Sequence, residues 1–175
     1  DVTAATAVYY APTNGQWVPI YNGTVMRMYK FTSSATDAVG LSVTLGANWA
    51  TNTIYDWFVI DDGGTIRLAS GPAWTSDTAR GTGAGTTELQ MYNGLWTNAV
   101  SMTARYANGS TTTVDANEGT YVGTFRTVAA GQAEDSAAKR FLFNAYNQTM
   151  RVLRNATETT NTWAYTTATF RQANA

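Results

Sequence analysis

The stretch Tyr55-Asp56-Trp57-Phe58-Val59-Ile60 (YDWFVI) decides how this sequence folds. Apart from one carboxylate it is apolar at odd and even positions alike. A strand with one solvent-exposed face instead alternates apolar and polar residues. Such a run predicts a central strand that is buried on both sides. The turn residues Asp61-Asp62-Gly63-Gly64 follow, and residues 66–69 (IRLA) again place their larger apolar side chains on one face. This order predicts a hairpin.

Asp56 is the exception within this run, because a carboxylate in an apolar strand requires a partner. Arg105, Arg126 and Arg140 are the arginines that we consider for that partner. We expect the pair to be structural rather than catalytic.

A second run, residues 140–146 (RFLFNAY), is also apolar on both faces and predicts another central strand. From the two runs we expect Trp57, Phe58, Phe141 and Phe143 to form the core. The two runs together therefore predict the centre of the fold.

Period-two alternation recurs along the rest of the chain. In residues 120–128 (TYVGTFRTV) it predicts that Tyr121 and Phe125 share one face, and residues 162–167 (TWAYTT) alternate as well. Residues 132–139 (QAEDSAAK) are the one stretch that predicts a short helical turn, with a loop as the alternative.

Turn dipeptides separate the predicted strands. They are Asn14-Gly15, Asn22-Gly23, Asn93-Gly94 and Asn108-Gly109, the last of which predicts a hairpin. About ten strands follow from this spacing, with no linker or repeat between them. We therefore predict a single domain over residues 1–175, an antiparallel β-sandwich of jelly-roll type with little or no helix.

Charge and composition exclude several classes of function. The chain carries 11 basic and 12 acidic side chains, a net charge of −1, and 13% of its residues are charged. A nucleic-acid partner requires a basic face, which no run of Lys or Arg supplies, so we expect no nucleic-acid binding. The sequence has no His and no Cys, which removes the commonest general base, disulfides and thiolate metal sites. Thr at roughly a sixth of the chain, with many aromatic residues, favours covered β faces, for which a neighbouring subunit is a natural cover.

Targeting signals are few. No apolar run approaches the length of a membrane span, so we expect no membrane partner. No signal-peptide pattern is visible. The chain begins at Asp1 rather than Met, as a processed form or a fragment of a longer protein would.

A glycine-rich stretch, Arg80-Gly81-Thr82-Gly83-Ala84-Gly85-Thr86-Thr87, raises the question of a phosphate site. A phosphate-binding loop opens a helix and has the spacing G-x-G-x-x-G or a following Gly-Lys. Here the spacing is G-x-G-x-G, no lysine follows, and residues 88–92 (ELQMY) predict a strand. We therefore expect a loop that lies against a neighbouring subunit, with Arg80 pairing a carboxylate there.

Catalysis lacks its usual side chains. A glycosidase needs two opposed carboxylates, and Asp56, Asp61 and Asp115 are the ones we consider for a polysaccharide hydrolase. Asp61 and Asp62 are explained by a hairpin turn, with a calcium-ligand cluster as the alternative. Without a histidine, a nucleophilic Ser or Thr has no usual base. We therefore expect no enzyme activity, no cofactor and no bound metal.

Loop aromatics leave two alternatives open. Trp74 and Trp96 lie beside turn signals, where exposed rings stack on sugars or fill an oligomer interface. We favour the interface. The residues predicted for interface or glycan contacts are Trp74, Arg80, Gly81, Gly83, Gly85 and Trp96.

Several longer segments, in the order in which they occur, carry a resemblance to a known group of proteins. They are residues 9–12 (YYAP), 18–24 (VPIYNGT), 71–74 (GPAW), 80–90 (RGTGAGTTELQ), 93–99 (NGLWTNA), 118–126 (EGTYVGTFR), 140–147 (RFLFNAYN) and 163–171 (WAYTTATFR). Over most of its length the chain thereby resembles a group of tailed-bacteriophage virion proteins, found as separate small proteins or as terminal domains of tail-fibre-like chains.

The resemblance implies a β-rich, trimeric component of the virion surface, on a head spike, a decorated capsid or a tail fibre. It implies contacts with copies of itself and with other virion proteins, and it supplies no catalytic residues. The leading hypothesis is a non-enzymatic structural protein that self-associates. The alternatives are a module at a fibre tip that binds a host receptor or host-surface glycan and, third, a polysaccharide hydrolase.

Overall fold

The computed structural model describes residues 1–11, 16–31, 41–146 and 148. These ranges contain fourteen strands in antiparallel pairs and no helix. The strands are β1 (Val2–Ala5), β2 (Ala7–Tyr10), β3 (Trp17–Tyr21), β4 (Met26–Lys30), β5 (Leu41–Thr44), β6 (Ile54–Asp62), β7 (Thr65–Ala73), β8 (Leu89–Tyr92), β9 (Leu95–Asn98), β10 (Met102–Ala107), β11 (Ser110–Val114), β12 (Thr120–Ala129), β13 (Gln132–Asp135) and β14 (Leu142–Asn144). The predicted all-β, antiparallel class is confirmed, whereas the jelly-roll strand order and the single domain stay predictions.

The main sheet runs in the order β1-β13-β12-β6-β7-β10-β11. One edge of β12 pairs with β6, and the other pairs in turn with β9, β14 and β13. β8 joins through its hairpin with β9, and the pairs β2–β5 and β3–β4 form two small separate sheets. β12 is thus the strand that brings distant parts of the chain together.

β6 lies between β12 and β7 and is buried along most of its length. Its side chains alternate between two cores, because successive residues of a strand point to opposite faces. Tyr55, Trp57 and Val59 belong to the first core, and Phe58 and Ile60 belong to the second. The predicted central strand and the predicted core positions Trp57 and Phe58 are therefore confirmed.

The first core lies between the main sheet and the two small sheets, face to face as in a β-sandwich. The small sheets contribute Val8, Val18, Ile20 and Val43. Trp49 stacks on Trp57 with ring centroids 6.4 Å apart, and its Nε1 donates a hydrogen bond to Ser70 Oγ at 2.9 Å. This tryptophan, which the sequence places beside a turn, is thus a core residue.

β-Bulges interrupt both neighbours of β6 close to Asp56. β12 has an extra residue at Val122, and β7 has one around Pro72. An extra residue breaks the alternation of a strand, so Tyr121 packs in the second core and Phe125 in the first. The prediction that Tyr121 and Phe125 share a face is wrong for this reason.

Residues 140–146 do not form a central strand. Only Leu142–Asn144 are a strand there, and they pair with three residues of β12. Phe143 is 48% exposed and Phe141 is half-buried, so the prediction that both form the core is wrong. Burial on both faces requires neighbours, and β14 pairs with β12 alone in the described part of the chain.

Residues 132–139 contain β13 rather than a helical turn. Pairing with β1 on one side and β12 on the other outweighs the weak helical pattern. The predicted hairpin at Asn108-Gly109 is confirmed as the connection between β10 and β11. The predicted turn at Asn14-Gly15 and the predicted strand at 162–167 lie outside the described residues.

Candidate functional site

Asp56 of β6 is 0% exposed and accepts hydrogen bonds from three side chains. Arg80 Nε and Nη2 lie 2.7 Å and 3.3 Å from its two oxygens. Trp74 Nε1 lies 2.9 Å away, and Thr124 Oγ1 of β12 lies 2.5 Å away. A carboxylate shielded from water requires partners of this kind. The arginine partner expected for Asp56 therefore exists, and it is Arg80.

The three arginines that we considered for this role lie elsewhere, so that assignment is wrong. Arg105 stacks over the Trp49 ring at 5.7 Å, Arg126 pairs with Asp77 at 3.0 Å, and Arg140 pairs with Asp135 at 3.8 Å. Arg80 thus has a carboxylate partner within its own chain, and the expected pairing with a carboxylate of another subunit stays a prediction. No local spacing links Arg80 to Asp56, because the β6–β7 hairpin and the following loop bring them together.

Aromatic rings hold the guanidinium of Arg80 in addition to the ion pair. Its central carbon lies 4.4 Å from the centroid of the Trp74 ring and 5.7 Å from that of Tyr121, which gives cation–π attraction. The Tyr121 hydroxyl lies 2.7 Å from Thr124 Oγ1. We call these five residues, Asp56, Trp74, Arg80, Tyr121 and Thr124, the Asp56 network.

The loop between β7 and β8 carries three glycines with positive φ, Gly81, Gly83 and Gly85. At Gly81 a Cβ atom would lie 2.7 Å from Thr75 Cγ2, so glycine allows the loop to cross close to Thr75. The Gly83 N–H donates to Glu88 Oε2 at 2.8 Å, which closes the loop on itself. A strand follows the loop, as predicted for residues 88–92, and contact of the loop with another subunit stays a prediction.

A cleft of about 470 Å³ opens beside the Asp56 network. Residues from the β7–β8 loop and from β8, β9, β12 and β14 line it, including Arg80, Gly81, Glu88, Leu89, Trp96, Tyr121 and Phe143. Trp96 is 45% exposed and Phe143 is slightly more exposed, so both rings meet solvent. The cleft therefore combines aromatic faces, a fixed cation and a carboxylate.

The structure brings together half of the residues predicted for interface or glycan contacts. Arg80, Gly81 and Trp96 line the cleft. Trp74 is half-buried and packs against Arg80 within the network, and Gly83 and Gly85 do not line the cleft.

Sequence reasoning missed most of the residues that line the cleft, and Phe143, Tyr121 and Glu88 are the ones that matter for its chemistry. Phe143 was predicted to lie in the core, and the position of Tyr121 follows from the bulge at Val122, for which the adjacent Gly123 is the sequence signal. Glu88 is a single carboxylate at the start of a predicted strand. A signal for Glu88 exists only in hindsight, since an acidic side chain after a glycine loop can accept that loop's backbone N–H groups.

None of the three carboxylates considered for hydrolysis lines this cleft. Asp61 accepts hydrogen bonds from the Tyr29 hydroxyl and from the Gly64 N–H, and Asp115 accepts one from Ser101 at 3.1 Å. Asp61 lines a separate polar cavity of about 190 Å³ together with Glu118. Among the described residues, no three carboxylates converge on a possible metal position.

Burial raises the pKa of the Tyr121 phenol, and the hydrogen bond with Thr124 partly opposes this rise. Burial also raises the pKa of Tyr146, with a smaller contribution from the nearby Tyr121. A raised pKa means that folding favours the neutral phenol. The stability that these groups contribute is therefore present below the unfolded pKa of about 10 and is lost as the pH rises through the folded values.

No protein-family model, curated protein or solved structure matches this chain. The described ranges include no helix of the length and apolarity needed to cross a membrane.

Proposed function

We propose that this chain is a non-enzymatic structural component of a bacteriophage virion surface and that it self-associates as a trimer. The motif resemblance supports the virion assignment, and the low charge and all-β fold support a mechanical role. Capsid decoration, a head spike and a tail fibre are the positions on a particle that fit it. Other virion proteins would be its neighbours at each of them.

An uncharged edge of the main sheet supports the proposal of self-association. β11 (STTTV) ends the main sheet and pairs only with β10 among the described residues. It contains no charge and no proline, and the extra residue of the β10–β11 pair lies on β10. Monomeric β-proteins protect such edges with Lys, Pro or a bulge, because unpaired N–H and C=O groups recruit further strands. Burial against a second copy in a closed assembly gives the same protection.

The surroundings of the carboxylates support a role without catalysis. Both oxygens of Asp56 accept hydrogen bonds from protein groups, and water does not reach them. Asp61 and Asp115 are held by their own turns and by neighbouring hydroxyls. A general acid or base must reach the proton that it transfers, and Asp56 is not open to a substrate.

Mass measurement on the full chain in dilute solution tests the proposal. We expect a trimer, and a stable monomer without affinity for other virion proteins would contradict it. Thr111→Lys combined with Thr113→Lys places two charges on exposed positions of β11 and should shift the mass toward the monomer. Thr51→Lys, in an exposed turn, is the matched control and should leave the trimer intact.

The number of copies per virion tests the position on the particle. Hundreds of copies indicate capsid decoration, whereas a handful indicate a spike or a fibre. Absence of the chain from purified virions would overturn the virion assignment.

A further inference from the structure

We propose that the cleft beside the Asp56 network binds a neutral saccharide. The proposal goes beyond assembly, and it depends neither on self-association nor on a position on a particle. A volume of about 470 Å³ is in the range of small-molecule sites, which combine aromatic walls with a few fixed polar groups. This cleft has both.

Trp96 and Phe143 supply the apolar faces. They belong to β9 and β14, and both strands pair with β12, so a sheet supports each ring. Each side chain is close to half exposed, although folding usually buries residues of this size. A pyranose ring has an apolar C–H face, and stacking on an indole or phenyl ring removes both surfaces from water.

Arg80 and Glu88 supply hydrogen bonds that can orient a sugar. A guanidinium has five N–H donors, and Arg80 donates two of them to Asp56. Its side chain is 31% exposed, so further donors can face a ligand in the cleft. Glu88 uses Oε2 to accept from Gly83, and no described residue donates to its Oε1. Sugar hydroxyls both donate and accept, so a cleft with a donor and an acceptor suits a polyol.

The Asp56 network prepares the site before a ligand arrives. The ion pair and the rings of Trp74 and Tyr121 fix the plane of the Arg80 guanidinium. A side chain that is already ordered loses less conformational entropy on binding. The buried carboxylate of Asp56 therefore acts as a positioning residue for Arg80.

Charge selects a neutral ligand over an acidic one. The positive charge of Arg80 is matched by Asp56, and Glu88 adds one negative charge to the wall of the cleft. No other Lys, Arg, Asp or Glu of the described residues lines it. An anionic sugar or a phosphate would meet the Glu88 carboxylate without a free cation to offset the repulsion.

The test is calorimetric titration of the full 175-residue chain with neutral cello-, malto- and chito-oligosaccharides. Sialyllactose and oligogalacturonate serve as the acidic comparison. We expect binding of at least one neutral series at up to millimolar concentration, weakened about tenfold or more by Trp96→Ala, as for a ring at the centre of a contact. Trp96→Tyr should retain most of the affinity. Trp17→Ala, at a tryptophan that is 51% exposed and does not line the cleft, is the matched control and should bind as the unaltered protein does.

Three results would overturn the proposal. The first is no binding of any neutral series by the folded protein. The second is affinity that survives in a folded Trp96→Ala variant, and the third is tighter binding of the acidic sugars. Circular dichroism of each variant separates a lost site from a lost fold, and Phe143→Ala gives an independent second variant if Trp96→Ala does not fold.

Discussion

Strand β6 carries two aspartates that make nearly the same contact in different surroundings. Asp56 accepts a hydrogen bond from Arg80 Nε at 2.7 Å, and Asp62 accepts one from Arg67 Nε at 2.7 Å. Both guanidiniums also stack on an aromatic ring, at 4.4 Å for Arg80 and 4.2 Å for Arg67. The carboxylate of Asp56 is 0% exposed, whereas the Asp62 side chain is 23% exposed.

Because the contact geometry of the two pairs is nearly the same, solvent access should set how much each pair contributes to the free energy of unfolding. When a partner is removed at Asp62, water replaces it, but at Asp56 a charge is left in the interior. Asp56 also accepts hydrogen bonds from Trp74 and Thr124, and these bonds connect the β7–β8 loop and β12 to β6. We therefore expect the buried pair to hold one wall of the cleft and the partly exposed pair of Asp62 and Arg67 to contribute little.

Arg80→Ala should have the largest effect, because it leaves Asp56 buried without its cation. We expect the free energy of unfolding to fall by about 3–5 kcal/mol. Arg67→Ala is the matched change at the partly exposed pair with Asp62, and it should lower the free energy of unfolding by no more than about 1 kcal/mol. Urea unfolding measures both free energies, and equal losses would contradict a larger contribution from the buried pair.

Asp56→Asn should have the next largest effect. The amide keeps the shape of the carboxylate but loses its charge-assisted hydrogen bonds, which we expect to cost about 2–3 kcal/mol. Asp62→Asn is the control and should cost less than about 1 kcal/mol. If Asp56→Asn unfolds at the same urea concentration as the unaltered protein, the carboxylate charge is not what stabilises the network.

Thr124→Val tests a single donor of the network. It removes the hydroxyl that hydrogen-bonds Asp56 and Tyr121, and we expect a loss of about 1–2 kcal/mol. Thr112→Val removes a hydroxyl that helps to lower the pKa of the partly exposed Asp62, and it should change stability by about 0.5 kcal/mol or less. Thermal unfolding of the pair ranks them, and a reversed order would count against burial as the cause.

The smallest effect concerns pH. The hydrogen bond from Arg67 lowers the pKa of Asp62 below its usual value. Because the folded pKa is depressed, this stability is present above the unfolded pKa of about 3.9 and is lost as the pH falls through the folded pKa. The unaltered protein and Asp62→Asn should therefore converge in unfolding free energy as the pH falls below about 4. A difference that stays constant with pH would show that Asp62 contributes through packing rather than charge.

Local pattern is sufficient to predict the centre of the fold. The apolar run at residues 55–60 and the Asn108-Gly109 turn each encode their own structure within a few residues, and both predictions are confirmed. The prediction of a central strand at residues 140–146 is wrong, because burial of a strand depends on what pairs with its edges and covers its faces. Its partner in the described residues is β12 alone.

Most of the candidate site depends on contacts between distant residues. The need of Asp56 for an arginine follows from physical chemistry, but the choice of Arg80 follows from a hairpin, a loop and two bulges acting together. A bulge shifts the side-chain alternation, and Gly123 beside it signals a bulge or a close backbone approach without fixing the direction of Tyr121. Trp96 was predictable as an exposed ring because it lies beside a turn signal, and its contacts with a ligand or a subunit stay a prediction.

The buried pair of Asp56 and Arg80 should hold the β7–β8 loop on the main sheet and so form one wall of the cleft. Hydrogen exchange of the loop amides of Ala79 and Gly83, which donate to Ser76 and Glu88, tests it most directly. Asp56→Asn should accelerate exchange at these amides while those of β10 and β11 stay protected, and Asp62→Asn should leave the loop unchanged. Loop protection that is the same in a folded Asp56→Asn variant and in the unaltered protein would contradict the claim.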